Sequence, residues 1–467
     1  MTDERCRDSS VLRRPWRRAL CCILTLILLI GILPQASLPA YAVEEPPQTT
    51  DVGAVLVVNL ENNLTLFEKE ADTTIYPSSS VKIMAGLLAC RALSERLGET
   101  VTITAAMVSG VEGRRMNPPL AAGETMTVRD LLYAAVCGGY NDATAVVACL
   151  SEGSVAAFVE AMNKEAQRLG TLHTRYTNPT GLHDPYMCTT VRDVAVIARE
   201  AYDNELFMQI SSARTHVIGK TNIAGERSFT NRNYLISDSS QNYFNGYCKG
   251  MNAGMTDEGG WCVVTVYERG EVANLCVAMR GRDVASGELI PAYVYVNRLL
   301  SWANRAYTYR TVLSKGEVLE TLRVDMTGVS KSKADLVPVQ DLMVYLPADV
   351  DISHGLEFNT ILNNGGLTAP LTAGQVVGVV TATYQGRVVG RAELTVTEDF
   401  AASGFLAGLM SFRAYLTSRP FFISALLFIT ALLVYLRSVT GPGGRYGLRS
   451  VRRRRAQSLG RSYRIRY

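Results

Sequence analysis

Histidine is scarce in this chain, with four residues in 467, and no two of them stand at a spacing that ligates a metal. That absence speaks against a zinc hydrolase and predicts neither a metal site nor a cofactor; His183 reads as a structural loop residue. Cysteine is more plentiful but poorly placed. Of ten, Cys6, Cys21 and Cys22 fall in or before an N-terminal apolar segment, which leaves seven: Cys90, Cys137, Cys149, Cys188, Cys248, Cys262 and Cys276. An odd set with no C-x-x-C pair excludes a zinc ribbon and argues against a disulfide framework, although one or two bridges stay open. Free thiols in an exported protein suit an anaerobic or otherwise reducing setting. Internal repeats and long low-complexity segments are also missing.

Acidic residues are absent after Leu436, where ten arginines gather. Setting those aside, with the six basic and three acidic residues of 1–42, turns the formal +4 of the whole chain into 31 basic against 40 acidic residues. The part that meets a substrate is therefore acidic, and nucleic acid is excluded as an expected partner.

What is present at the termini concerns topology. Arg13, Arg14, Arg17 and Arg18, an apolar run from Ala19 to Leu33 and the small residues of Ala40-x-Ala42 read as a secretory signal peptide over 1–42. "PFFISALLFITALLVYL", Pro420 to Leu436, is uncharged and long enough to span a bilayer with Arg419 and Arg437 at its ends. The positive-inside rule puts the basic tail 438–467 in the cytoplasm, so the expected location is the cell membrane, on a single C-terminal span with the body outside the cytoplasm.

Between the termini, strands and helices mix as far as about residue 304. "GAVLVVNLENNLTLFEKE" predicts a hairpin turning at Glu61 to Asn63, "VKIMAGLLACRALSERLG" a helix ended by Gly98, and "TVRDLLYAAVCGGYNDATAVVACLSEG" two helices broken at Gly138 and Gly139. "GWCVVTVYERGEVANLCVAMRG" predicts two strands about Arg269-Gly270, followed by the helix of "IPAYVYVNRLLSWANRA". Strands at both sequence ends with helices between them define an α+β domain over 43–304 whose sheet joins those ends. From 305 to 399 helical periodicity gives way to alternating runs broken by Gly, Asn and Asp, a small all-β domain; 400–437 holds a juxtamembrane segment and the transmembrane helix.

The chemistry concentrates in "YPSSSVKIMAGLLAC". Ser79 stands at the first turn of an apolar helix, with Lys82 three residues on and on the same face, close enough to take the serine proton if burial or positive neighbours lower its pKa. Serine residues also cap helices, and Ser330-x-x-Lys333 repeats the spacing in what reads as a polar loop, so the spacing alone does not decide. The surrounding residues do. "PSSSVKIMAGLLA", "AAGETMTVRDLLYAA" and "NPTGLHDPYMCTTVRDVAVIAREA" resemble the low-molecular-weight penicillin-binding proteins, the D-alanyl-D-alanine carboxypeptidases. The resemblance runs from about Asp51 to Ala303 and continues more weakly beyond.

It implies a β-lactamase/transpeptidase-like fold, an antiparallel sheet with helices on both faces and a helical subdomain. It implies an acyl-enzyme mechanism on peptidoglycan stem peptides, with β-lactams as inhibitors, Ser79 as nucleophile, Lys82 as base, Asn141 positioning the substrate, and the backbone N–H groups of Ser79 and Met255 as oxyanion hole. Two family motifs are altered. The second, S-x-N, is Gly139-Tyr140-Asn141 and has lost its serine; the third, K-T-G, is Asn252-Ala253-Gly254 and has lost the cation and hydroxyl that hold the substrate carboxylate. Lys249, an odd offset before Asn252 on a strand, is expected to face away. Two functions stay open: a D-Ala-D-Ala carboxypeptidase of reduced activity, and a fold that binds peptidoglycan or a cell-wall partner without turnover. A β-lactamase is a weaker reading, because no Glu-bearing loop for deacylation is found.

Overall fold

The computed structural model describes residues 45–237, 242–285, 288–327 and 332–440. The expected signal peptide, Ser330 and the arginine tail from residue 441 onward lie outside the described residues. The chain divides into two units, Met1–Thr308 with Leu346–Val350, and Tyr309–Tyr345 with Asp351–Tyr467.

The first unit is built on a five-stranded antiparallel sheet of β1 (Val52–Asn59), β2 (Thr65–Lys69), β3 (Cys248–Thr256), β4 (Gly260–Arg269) and β5 (Val272–Gly281), in the order β2-β1-β5-β4-β3. As expected from the two sequence ends, N-terminal β1 pairs with C-terminal β5, Val55 opposite Ala278. The inner strands are almost continuously apolar because both faces are covered. Side chains alternate: Ala54, Leu56, Val264, Val277 and Met279 join the large core shared with the helical subdomain. Their sequence neighbours Val55, Val57, Val263 and Ala278 are equally buried but lie outside that core, on the side served by helix Pro291–Ala306.

Six helices between β2 and β3 matter here: α1 (Val81–Leu93), α2 (Val128–Val136), α3 (Asn141–Glu152), α4 (Val155–Arg168), α5 (Val191–Tyr202) and α6 (Glu205–Ser211); α7 is Pro291–Ala306. α1 is buried nearly all round, from Val81 to Leu93, which makes it the central pin of the domain. It gives way to a 3-10 turn at Ser94–Arg96, so it stops short of Gly98. Side-chain caps start α2, α4 and α5, from Thr127, Ser154 and Thr190. A buried ion pair, Arg227 to Glu124, ties the small hairpin Thr215–Ile218/Arg227–Thr230 to this subdomain. The first unit is thus an α+β arrangement, an antiparallel sheet joined by both sequence ends with a helical subdomain inserted between β2 and β3.

The second unit is all-β in its body. β6 (Glu320–Asp325), β7 (Lys333–Pro338), β8 (Glu357–Leu362), β9 (Leu367–Thr368), β10 (Val376–Tyr384) and β11 (Arg387–Val396) form a sheet in the order β8-β10-β11-β7-β6-β9. Lys333, expected in a polar loop, instead opens strand β7: "KADLVP" buries Ala334, Leu336 and Val337. α8 (Gly404–Leu416) and α9 (Arg419–Thr440) follow, and α9 contains an apolar segment of membrane-spanning length, 21 residues from Arg419 to Val439, within which an 18-residue stretch has a mean hydropathy of 2.1.

Candidate active site

The entry to α1 decides what the three serines do. Ser78 to Ser80 form a 3-10 turn, and neither that turn nor α1 receives a side-chain cap. Ser80 Oγ donates to Pro77 O (2.6 Å) and Ser78 Oγ to Gly260 O (3.3 Å). Ser79 Oγ is buried and has no conventional nitrogen or oxygen hydrogen-bond partner; only the Cys262 thiol, a weak one, lies beside it. A hydroxyl left unpaired at that depth costs about 1 to 3 kcal/mol, which capping does not offset here. The simple capping explanation therefore fails at Ser79.

Strand β3 runs past this serine at contact distance. A Cβ on Gly254 would lie 2.8 Å from Ser79 Cβ and 2.9 Å from Oγ, so only glycine fits. Lys82, the second residue of α1 and three residues after Ser79, is 8% exposed and sends Nζ to the carbonyl of Thr180. The loop that presents this carbonyl is folded by Asn178, whose Oδ1 accepts from the backbone of Thr180 (3.1 Å) and Gly181 (2.8 Å). Burial lowers the Lys82 ammonium to about 7, and the positive charges of Arg232 and then Arg114 push the same way.

Asn141 opens α3 as the break at Gly138-Gly139 predicts. Its N–H donates to Arg114 O (2.7 Å) and its Nδ2 to Glu112 O (2.9 Å), while its buried Oδ1 has no partner. Asn252, on β3, is 6% exposed with its Oδ1 likewise unpartnered. Ser79, Lys82, Gly139, Asn141, Asn252, Ala253, Gly254 and Met255 all line one cleft of about 390 Å³. Every residue singled out for the site is therefore brought together. No group of side chains that could hold a metal occurs among the described residues.

Other residues near the motifs along the chain fall on the rim of the cleft or outside it. Lys249 is solvent-exposed and absent from the cleft lining, although the β3–β4 register does shift between Lys249 and Asn252. Tyr140, the middle residue of the altered second motif, packs edge-on to Phe229 and under the Arg114 guanidinium, and does not line the cleft. His183 is a rim residue, edge-on to Tyr76 and 4.0 Å from Glu258. Cys137 and Cys248, which their motif neighbours suggest lie near the cleft, are turned into the core, and burial pushes both thiols up to about 12. The partly exposed thiols are Cys149 and Cys188, and all seven are free.

Two cationic cleft residues escape the sequence reading. Arg114 and Arg232 both line the cleft, one from the loop before α2 and one from the segment after residue 230. The only signal for the first was an arginine pair in a loop otherwise rich in small residues and proline.

Comparison with known proteins agrees with the geometry. Residues 40–282 match the D-alanyl-D-alanine carboxypeptidase family and residues 307–402 the C-terminal domain of penicillin-binding protein 5. The chain belongs to the D-alanyl-D-alanine carboxypeptidase family, the low-molecular-weight penicillin-binding proteins. It is 24% identical to the D-alanyl-D-alanine carboxypeptidase DacF of Bacillus subtilis, over 82% of this chain and 95% of that one. It is 26% identical to DacC of Escherichia coli, over 81% and 91%. Among solved structures, penicillin-binding protein 5 of Haemophilus influenzae superposes with a TM-score of 0.57 at 25% identity, covering 76% of this chain and 99% of that one.

Proposed function

We propose that this protein is a serine D-Ala-D-Ala carboxypeptidase acting on peptidoglycan stem peptides, with its acylating half intact and its carboxylate-binding half rebuilt. The observation that carries the proposal is the Ser79 hydroxyl, buried without a conventional hydrogen-bond partner and pressed against Gly254, in one cleft with a lysine that burial lowers to about 7. Ser79 Oγ attacks the penultimate D-Ala carbonyl and Lys82, in its neutral form, accepts the serine proton. The N–H groups of Ser79 and Met255 hold the developing oxyanion, and D-Ala leaves with a proton returned from Lys82; water then attacks the acyl-enzyme ester. Asn141 offers its free Oδ1 to a substrate N–H. The apolar helix α9 and the arginine-rich tail support anchoring at the cell membrane with this domain outside the cytoplasm.

Gly139, Asn252 and Ala253 favour a second reading, a binding protein without turnover, because none of them relays a proton or offers a cation. One experiment separates the two. Fluorescent penicillin should label the purified protein covalently, Ser79→Ala should remove the label, and Ser330→Ala should not. A protein that takes no label supports the binding reading, and label retained in Ser79→Ala removes Ser79 from the mechanism.

A further inference from the structure

We propose that Arg114, acting with Arg232, holds the C-terminal carboxylate of the substrate in place of the cation and hydroxyl missing at Asn252 and Ala253. This rests on the carboxypeptidase reading above and assigns a residue to the part of the site that reading leaves unfilled.

The two arginines reach the cleft beside Gly138 and Gly139. Arg114 Nε donates to Gly138 O (3.2 Å), and Arg232 N donates to Cys137 O (3.2 Å) with its Cβ 3.9 Å from where a Gly139 side chain would begin. Arg232 lowers the proton affinity of Arg114, and both lower that of Lys82, so the charges are within Coulombic reach. Neither makes an ion pair among the described residues. The acids that line the cleft, Asp257 and Glu258, sit on the β3–β4 turn, where Glu258 faces His183. Two like charges facing a cleft with no anion between them are an electrostatic preparation for one.

Arg114 is solvent-exposed as a residue, yet its loop is held. The backbone N–H of Asn141 bonds its carbonyl, and Asp142 accepts from Met116 N (3.2 Å) and Leu120 N (3.1 Å) further along the same loop. The guanidinium lies 4.7 Å over the Tyr140 ring and bonds Gly138 O through Nε, and its five-donor fork has further N–H groups to offer a ligand. Apart from the Ser79 hydroxyl, the buried unpartnered atoms of the cleft residues are Asn141 Oδ1 and Asn252 Oδ1, both acceptors. A ligand that satisfies the whole set carries amide N–H groups and one carboxylate, as the end of a D-Ala-D-Ala peptide does.

The test is a binding comparison on the full chain carrying Ser79→Ala, which removes turnover. Diacetyl-Lys-D-Ala-D-Ala and the same peptide ending in a carboxamide are titrated by calorimetry. The acid should bind at least about tenfold more tightly than the amide, as loss of a charge-assisted hydrogen bond implies. Adding Arg114→Ala should cut that preference about tenfold while leaving amide binding unchanged, and Arg114→Lys should keep part of it. An unchanged preference in Arg114→Ala, equal weakening of both peptides, or no binding of either peptide overturns the assignment. Penicillin labelling of the Ser79 protein keeps the two readings apart. Label with an Arg114-independent acid preference sinks only Arg114, whereas no label and no preference sink both.

Discussion

Two walls of one cleft have been treated differently. The wall that would form the acyl-enzyme is over-determined: Ser79 is pressed by Gly254, Lys82 is tied to the Asn178-folded loop through Thr180 O, and Asn141 is bonded to the Glu112–Arg114 loop through both backbone and side chain. The wall that would hold the departing D-Ala carries Gly139 and Asn252-Ala253, residues that supply shape but no charge or proton. The first wall depends on backbone passing close to backbone, where a change in one residue moves several others. The second depends on side-chain tips, which another loop can replace without moving the sheet. Arg114 and Arg232 are such tips.

The sharpest way to break this contrast is at Gly254. An alanine there places Cβ 2.8 Å from Ser79 Cβ, against a serine in a buried turn, so the strand or the nucleophile must move by several tenths of an ångström. Gly254→Ala should slow penicillin acylation by about a hundredfold, the cost of a misplaced reacting group, with secondary structure unchanged by circular dichroism. A labelling rate within threefold of wild type would mean that the first wall is less tightly set than the geometry implies.

The next effect is graded by pH. Lys82 has its folded-state pKa lowered to about 7, by burial first and then by Arg232 and Arg114. In the proposed mechanism the neutral amine is the form that accepts the Ser79 proton, and it dominates above that value. Acylation should therefore be flat above about pH 8 and fall about tenfold per pH unit below about pH 6. Removing a positive neighbour raises the Lys82 pKa, so Arg114→Ala should move the falling limb to higher pH. A limb that stays in place would show that Arg114 acts on the ligand alone.

How much of this was legible in the sequence follows the same division. The apolar runs that make β4 and β5, the break at Gly138-Gly139 and the helix behind Ser79 are local signals, and all three appear where expected. Ser79, Lys82 and Asn141 could be found because each sits at a helix start marked by its own neighbours. Arg114 and Arg232 could not, since an arginine in a loop looks solvated until the fold shows what it faces. Cys137 and Cys248 mislead for the opposite reason: adjacency to a motif along the chain says nothing about the face of the element, and both side chains point into the core. Lys333 misled through composition, because "KADLVP" pairs with β6 and β11 and the charge belongs to the strand's exposed start.

The smallest expected effect is the most informative about the second wall. Asn252→Lys with Ala253→Thr returns the missing cation and hydroxyl to β3, and with an empty carboxylate site the gain in D-Ala release would be about tenfold to a few hundredfold. Arg114 and Arg232 already bring positive charge to the cleft, so a new lysine adds a like charge beside Lys82 and duplicates a grip. The double substitution should then raise D-Ala release by less than about tenfold in the wild-type background and by clearly more in Arg114→Ala, a coupling that a double-mutant cycle measures. Gly139→Ser, the matching repair of the second motif, should give no further gain. Gly139 has φ of +67°, a backbone region that costs a residue with a Cβ about 1 to 2 kcal/mol, even though its side chain would meet nothing closer than 3.9 Å. Free D-alanine released from diacetyl-Lys-D-Ala-D-Ala reads all of these variants. Equal gains with and without Arg114 would mean that the two cations act on different parts of the peptide, and the second wall would then be incomplete in the wild-type protein.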